Sequence, residues 1–218
     1  MSYQTIIDNA TYVTIDTRKV TAQSISRSGQ YKTSERSPAP FMITVGMHDG
    51  LKYSENRSVI QDIYTVGRTT ESNISLNNNS GMNYLTNYQG DIETAQLNNI
   101  TLNSVFGNEI YVDCSGATGS GNLFEKGDYI QPKGNTDTYR YPYQVTADVT
   151  FDSGSSNTTV SVHRPILSQT GVALTSGGIK VGNDVRFHVK CMKLPTYTVV
   201  PYDLVDFSDD FMFIEVIT

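Results

Sequence analysis

Alternation of apolar and polar side chains with a period of two is the feature that most constrains how this chain can fold. Phe41, Ile43 and Val45 alternate with Met42 and Thr44. The run from 185 to 191 repeats the pattern, with four apolar or small residues on one side: Val185, Phe187, Val189 and Cys191. This period is that of a β-strand with one buried face. The sequence therefore predicts a mainly β fold.

Two further alternating runs are joined by a turn-forming segment. Val145, Ala147 and Val149 lie in the first run, and Val160 and Val162 lie in the second. The segment between them, FDSGSSNTT, is composed almost entirely of residues that favour turns. We therefore predict a hairpin that pairs 144–150 with 158–163.

One segment, SENRSVIQDIYTVG, has helical spacing. Val59, Ile60 and Ile63 recur three to four residues apart, Ser54 can cap the N-terminus, and Gly67 can end the helix. A helix of about three turns is marginal alone in water. We therefore expect it to pack on a sheet.

Two loop-like stretches divide the chain. ESNISLNNNSGMNYLTNYQGD is rich in asparagine, and LSQTGVALTSGGIKVGND is weakly apolar. The blocks outside these stretches each look incomplete, whereas the strands between them form a self-contained set. We predict one discontinuous β domain, 1–95 plus 180–218, with a small β-barrel domain inserted at 96–179.

Composition and charge exclude several classes of function. The chain has 38% hydrophobic and 17% charged residues and a formal net charge of −6, so it lacks the basic surface that grips nucleic acid. No apolar stretch approaches the roughly 18 residues that span a bilayer, and the N-terminus does not resemble a signal peptide. The two cysteines are expected to be reduced thiols.

No motif in the sequence indicates catalysis or a cofactor. His48, His163 and His188 do not have metal-ligand spacing, and the glycine-rich run CSGATGSGN lacks the end of a phosphate-binding loop. The acidic segment YDLVDFSDDF does not match a calcium-binding loop. We therefore predict a non-enzymatic protein without cofactor or metal, and a hydrolase whose site assembles in space is the weaker alternative.

The stretch LFEKGDYIQPKG contains a predicted structural corner. Gly127 can adopt a backbone conformation that other residues disfavour, and Asp128 can accept backbone N–H groups. We interpret Gly127 and Asp128 as architecture rather than as a binding or catalytic site.

The order of these segments resembles a module found in tail proteins of tailed bacteriophages. In that module an apolar residue, Gly-Asp-aromatic-Ile, a strand ending in Val-Thr-Ala-Asp, a glycine turn and a short strand ending at proline follow one another. The matching positions here are Phe124, Gly127, Asp128, Tyr129, Ile130, Val145, Thr146, Ala147, Asp148, Gly154, Val160, Val162 and Pro165.

The flanking segments resemble the same proteins. Arg27-Ser28-Gly29-Gln30 and the strand at 41–45 resemble their N-terminal strand pair, the helix after Tyr53 their single helix, and the last strands their C-terminal pair. The chain departs from the pattern in lacking the tryptophan often found where Phe41 stands. The Asn-rich stretch at 71–90 has no recognised counterpart.

The resemblance implies a tail-tube-like β-sandwich or barrel with one short helix and an inserted β-barrel. It implies a structural subunit of the virion, assembled in the host cytoplasm as a six-fold ring around the DNA conduit, at the tube end or baseplate hub. The implied partners are copies of the chain and other tail and baseplate proteins, and DNA only passes through. A carbohydrate-binding or adhesin module is the alternative.

Isolated apolar residues mark two segments as candidate subunit contacts. They are Ile6, Ile7, Tyr12 and Val13 near the N-terminus, and Met82, Tyr84, Leu85 and Tyr88 in the Asn-rich stretch. Such anchors are typical of segments that become ordered against a neighbour. The alternative is that these segments are surface loops of their own subunit.

Overall fold

The structure is a computed structural model that describes residues 3–17, 21–25, 27–35, 39–47, 51–77, 84–133, 141–167, 174 and 177–217. These ranges contain eighteen β-strands, three α-helices and one 3-10 helix. The strands form six sheets, and within the described ranges no sheet closes into a barrel. The predicted mainly β fold is confirmed.

The chain forms two compact units. The first comprises Met1–Ser72 and Val189–Ile217, and the second comprises the continuous segment Asn73–His188. The second unit is therefore nested in sequence between the two parts of the first. Independent folding of an inserted domain stays a prediction.

The elements of the N-terminal half, up to residue 106, are α1 (Gln4–Asp8), β1 (Ala10–Thr17), β2 (Thr21–Ile25), β3 (Tyr31–Glu35), β4 (Phe41–Met47), β5 (Leu51–Lys52), α2 (Tyr53–Val66), β6 (Glu71–Ile74), α3 (Thr94–Leu97) and β7 (Thr101–Phe106). The remaining elements are β8 (Glu109–Asp113), β9 (Asn122–Phe124), β10 (Tyr129–Pro132), β11 (Tyr143–Gln144), β12 (Val149–Thr150), β13 (Thr158–Ser161), β14 (Ile179–Val181), the 3-10 helix (Gly182–Asp184), β15 (Phe187–Lys193), β16 (Tyr197–Val200), β17 (Leu204–Phe207) and β18 (Phe211–Glu215).

The largest sheet has five strands in the order β1-β4-β18-β15-β6. Its register places Ile15 beside Ile43, Ile43 beside Phe213, and Phe213 beside Cys191. The same face buries four more side chains: Phe41, Val45, Val189 and Phe211. The alternating runs at 41–45 and 185–191 thus lie in β4 and β15, as the sequence predicts.

Two helices cover the buried face of this sheet. Ile6 and Ile7 of α1 and Ile60 and Ile63 of α2 are buried, and α1 packs against α2, β1 and β4. Burying an aliphatic side chain of this size contributes about 1.5–3 kcal/mol. The hydrophobic core of the first unit therefore lies between the sheet and these helices.

The predicted helix is α2, and a distant segment accepts the backbone N–H groups at its N-terminus. It begins at Tyr53 and ends before Gly67, which has a φ of 62°. The predicted cap, Ser54, lies inside the helix, and the residue at the N-cap position is Lys52, whose side chain makes no capping bond. Instead the carbonyl of Asp203 accepts the N–H of Tyr53 at 2.7 Å, and its carboxylate accepts the N–H of Ser54 at 3.0 Å. Both bonds satisfy N–H groups that a helix leaves unpaired.

The other two helices escaped prediction because they are short. Helix α1 has five residues and α3 has four. Segments of this length contain too few residues for a 3.6-residue period to be distinguished from chance. The sequence therefore predicted one helix where the described residues contain three.

The second unit contains three small sheets, in the orders β13-β8-β7, β11-β10-β14 and β12-β9. The predicted long hairpin forms only at the end away from its turn, where Val145 and Val162 form an antiparallel bridge and the N–H groups of Thr146 and His163 donate to the carbonyls of Ser161 and Gln144, each at 3.0 Å. Beyond this bridge β12 pairs with β9 and β13 pairs with β8. The first run is interrupted where the carboxylate of Asp148 accepts the N–H of Lys126 at 2.8 Å. Alternation identifies a strand but not its partner.

Candidate functional site

The corner predicted at Gly127 and Asp128 connects β9 to β10. The carbonyl of Glu125 accepts the N–H of Asp128 at 3.1 Å, which closes a four-residue turn. Gly127 has a φ of 106°, and a Cβ added there would meet no atom within 4 Å. The turn therefore requires glycine for its backbone conformation and not for space.

The side chain of Asp128 holds this corner to a second segment. Asp128 is 2% exposed, and its two carboxylate oxygens accept the N–H groups of Gln89 and Glu125, each at 2.9 Å. Its main-chain carbonyl accepts the N–H of Val145 at 2.8 Å. Burial raises the pKa of the Asp128 carboxyl, and the backbone N–H groups oppose that rise. Both oxygens are engaged by the main chain, an arrangement suited to hold a turn.

The described histidines make contacts within the second unit. The Nδ1 atom of His163 accepts the N–H of Gln144 at 3.0 Å, and Nδ1 of His188 lies 3.1 Å from the amide oxygen of Asn73. His48 lies outside the described residues. In the part of the chain that is described, no group of three His, Cys, Asp or Glu side chains could hold a metal ion.

Both cysteines are free and buried. Burial raises the pKa of the Cys114 thiol, and it raises the pKa of Cys191 to about 11. The thiolate is the nucleophilic form of cysteine, so both side chains are unreactive near neutral pH.

Two of the eight candidate contact residues are buried within their own unit. Ile6 and Ile7 are fully buried in the core beneath the five-stranded sheet. In this conformation both side chains belong to the core of their own unit, and a subunit contact in this segment stays a prediction. The burial of these residues could not be predicted from the sequence, because a five-residue helix places only two side chains on the core.

Tyr12 and Val13 lie on β1 and face opposite sides of the sheet. Tyr12 is 47% exposed, and its ring covers Gly46 on β4 so closely that a Cβ there would lie 2.1 Å from the ring. The Tyr12 hydroxyl donates to Asp210 at 2.6 Å. Val13 is half-buried and pairs with Val45. Tyr12 is therefore an ordered aromatic side chain on the surface.

The Asn-rich stretch contains both exposed residues and residues that hydrogen bonds or burial hold in place. Met82 lies outside the described residues, whereas Tyr84 is 64% exposed and Leu85 is half-buried. The hydroxyl of Tyr88 donates to the carbonyl of Leu123 at 2.5 Å, and burial raises its pKa to about 12. Tyr88 thus fastens the stretch to the second unit, and Tyr84 is the side chain left available to a partner.

The sequence did not identify one further surface, the second face of the five-stranded sheet. The register aligns Thr14, Thr44 and Met212 in one row across β1, β4 and β18. The next row comprises Asp16, Met42, Ile214 and Lys190. The central side chains of both rows are half-exposed. This face is a mixed apolar and polar surface of a kind found at subunit contacts.

Four aromatic side chains form a second surface cluster on the first unit. The rings of Tyr53 and Tyr197 stack with centroids 6.1 Å apart, and Tyr64 and Phe207 each contact Tyr197, at 5.3 and 6.4 Å. All four are half-exposed. Tyrosine clusters of this kind are suited to binding, because each ring offers an apolar face and a polar tip.

Comparison with known proteins does not assign the chain to a family. No protein-family model matches the sequence, and no curated protein matches it significantly. Among the described residues, no helix has the length and apolar character needed to cross a membrane.

Proposed function

We propose that the chain is a non-enzymatic structural subunit of a bacteriophage tail, which assembles with copies of itself into a six-fold ring around the DNA conduit. One observation carries the proposal. Strand β1 is eight residues long, and no described strand pairs with its outer edge. A long edge strand offers its main chain for pairing with another chain, and natural proteins generally cover or pair such edges.

The position of this edge favours a ring. Strand β6 stands at the opposite end of the same sheet order. Pairing of β1 in one copy with β6 in the next joins two different surfaces, and such a head-to-tail contact forms a ring when the rotation from copy to copy closes. In the ring that we propose, the open sheet face would line or adjoin the conduit.

The net charge of the chain is compatible with DNA that passes through the ring without binding to it. The chain carries a formal net charge of −6. An acidic wall repels phosphates, so DNA could slide past it. The other tail and baseplate proteins are the remaining partners in this proposal, which places the chain in the virion after assembly in the host cytoplasm.

The proposal is tested with an edge variant during infection. A tagged chain carrying Thr14→Lys on the exposed side of β1 should be excluded from tailed particles, because a lysine on an edge strand disfavours pairing. The matched control is Thr65→Lys, on the exposed side of α2. Tagged wild-type and Thr65→Lys chains should purify with the particles in equal amounts. Absence of the tagged wild-type chain from the particles would overturn the proposal.

The aromatic cluster favours carbohydrate binding as a second candidate function. Stacked tyrosines with half-exposed rings could pack against the apolar face of a sugar. Binding of the wild-type chain to an array of bacterial surface glycans, lost in Tyr197→Ala and kept in Tyr12→Ala, would support this alternative. A chain that binds no glycan on the array would eliminate it.

A further inference from the structure

The hairpin formed by β2 and β3 is an incomplete structural element. Its five residue pairs run from Thr21–Glu35 to Ile25–Tyr31, and it forms a two-stranded sheet of its own. Two strands alone are at best marginally stable in water. The register is nested within that of β1 and β4, whose last pair is Thr17–Phe41.

The free end of the hairpin exposes apolar side chains. Ile25 is 72% exposed and its cross-strand neighbour Tyr31 is 58% exposed. Arg27, at the tip between them, is exposed as well. Adjacent exposed apolar side chains form a small patch of the kind that another protein surface can cover.

The sequence around the hairpin is basic, although the whole chain is acidic. Between residues 18 and 36 it contains five basic residues and one acidic residue, in a chain of net charge −6. The segment from 203 to 210 has the opposite character, with four aspartates and no basic residue. Two segments of one chain thus carry opposite charges.

The acidic segment lies beside an edge strand without charge. Strand β16, Tyr-Thr-Val-Val, is the outer strand of the sheet β16-β17-β5, and no described strand pairs with its other side. Val199 on this strand is 46% exposed. On β17, Asp206 pairs with Thr198 of β16, and both are exposed. An uncharged β-branched edge is prone to pair with another strand.

We propose that the β2–β3 hairpin of one copy adds to the β16 edge of a second copy of this chain. The three-stranded sheet would become five-stranded, which would stabilise the hairpin. Ile25 or Tyr31 would cover Val199, and the basic segment of the hairpin would come close to the acidic segment 203–210. The inference concerns how copies join and therefore rests on the proposed self-assembling function.

A second copy fits the hairpin better than DNA. Arg27 would suit a phosphate equally well, but Ile25 and Tyr31 gain little from a phosphate backbone. The β16 edge offers them the exposed side chain of Val199 and a main-chain edge that no described strand pairs, and the acidic segment 203–210 follows it in the chain. The two surfaces lie on different parts of the chain, so the contact is head-to-tail and repeats from copy to copy.

The inference is tested by site-specific crosslinking. A photo-reactive benzoylphenylalanine replaces Tyr31 in the full chain, and equal amounts of ¹⁴N- and ¹⁵N-labelled chains are mixed at high concentration and irradiated. Crosslinks between differently labelled chains should map to residues 195–201. The lysine introduced by Val199→Lys should lower their yield at least about tenfold, which corresponds to roughly 1.4 kcal/mol, whereas Thr65→Lys should leave the yield unchanged.

A charge reversal gives the second arm of the test. Arg27→Glu should lower the crosslink yield, because it removes a positive charge that favours the acidic segment 203–210 of the other copy. Crosslinks that map elsewhere, form only within one chain, or survive Val199→Lys would overturn the inference. A DNA duplex that binds the wild-type chain, fails to bind Arg27→Glu and abolishes the crosslink would show a DNA-binding arm instead.

The crosslinking experiment tests the hairpin contact, and incorporation into tails tests the proposed function, so the two can fail separately. Chains that enter tailed particles without this crosslink would refute the hairpin contact alone. Chains that form the crosslink but never enter tailed particles would refute the proposed function alone.

Discussion

At the scale of single residues, the corner at Gly127 and Asp128 shows what local sequence can predict. Glycine followed by aspartate between apolar pairs indicates a turn, and the structure gives Gly127 a positive φ and Asp128 two main-chain donors. One of those donors, Gln89, lies 39 residues away. The local pattern therefore predicts the turn, but it contains no information about which distant segment the turn holds.

Gly127→Val should destabilise the chain through backbone strain. A β-branched residue at a φ of 106° costs on the order of 1–3 kcal/mol. Thermal unfolding measures the change, and Gly154→Val, at an exposed turn glycine without a positive φ, is the matched control. An unchanged melting temperature for Gly127→Val would refute the corner interpretation.

Asp128→Ala should remove the partner of two main-chain N–H groups. Leaving buried donors unsatisfied costs about 1–3 kcal/mol for each group. The control is Asp152→Ala, because Asp152 accepts the N–H of Gly154 at 3.0 Å in an exposed turn. Equal losses of unfolding free energy in the two variants would mean that burial of Asp128 is unimportant.

Cys114 and Cys191 should resist alkylation in the folded chain. Burial raises the pKa of both thiols, that of Cys191 to about 11, so the thiolate is scarce at pH 8. Iodoacetamide followed by mass spectrometry should modify them only after denaturation. Rapid modification of either cysteine in the native chain at pH 8 would contradict their buried placement.

At the scale of elements, the alternation of apolar and polar residues predicted where strands lie, but it did not predict which strands pair with each other. The runs in β4 and β15 bury the residues that the pattern assigns to the core, because the period alone determines which side chains share a face. Partners depend on contacts between distant segments, and Asp203 illustrates this, since it caps α2 from 149 residues away. The surface at β16 also went unnoticed, although the charge-free run Tyr-Thr-Val-Val between Pro195 and Pro201 was a signal that could have identified it.

Asp203→Ala should weaken the N-terminus of α2. The change removes the carboxylate that accepts the N–H of Ser54 and places alanine at a φ of 66°, for a combined cost of about 2–3 kcal/mol. Asp203→Asn keeps one acceptor and a residue that tolerates this φ, so it should lose less. Unfolding by urea measures both, and equal losses would contradict the capping role.

At the scale of the whole molecule, the nested order of the two units is the main organisational feature. The loop-like composition at both borders of the central segment indicates an insertion from the sequence alone. Composition changes gradually, whereas compact units are delimited by strand pairs such as Ile130–Val181 between β10 and β14. Boundaries at 96 and 179 therefore could not be placed from composition alone.

The fragment 73–188 should fold without the rest of the chain. It retains β14 beside β10 and the bond from Gln89 to Asp128, both of which a shorter fragment of 98–172 lacks. Cooperative thermal unfolding is expected for 73–188, with a lower melting temperature or no transition for 98–172. A longer fragment without any cooperative transition would show that the second unit depends on the first.

The central claim is that the chain is a ring-forming subunit of a phage tail, and electron cryo-microscopy of tailed particles that are expected to contain the chain tests it most directly. We expect six copies in a ring around the conduit, with the outer edge of β1 paired to a strand of the neighbouring copy. Particles that lack the chain, or that contain it with the β1 edge open to solvent and no contact between copies, would contradict the account.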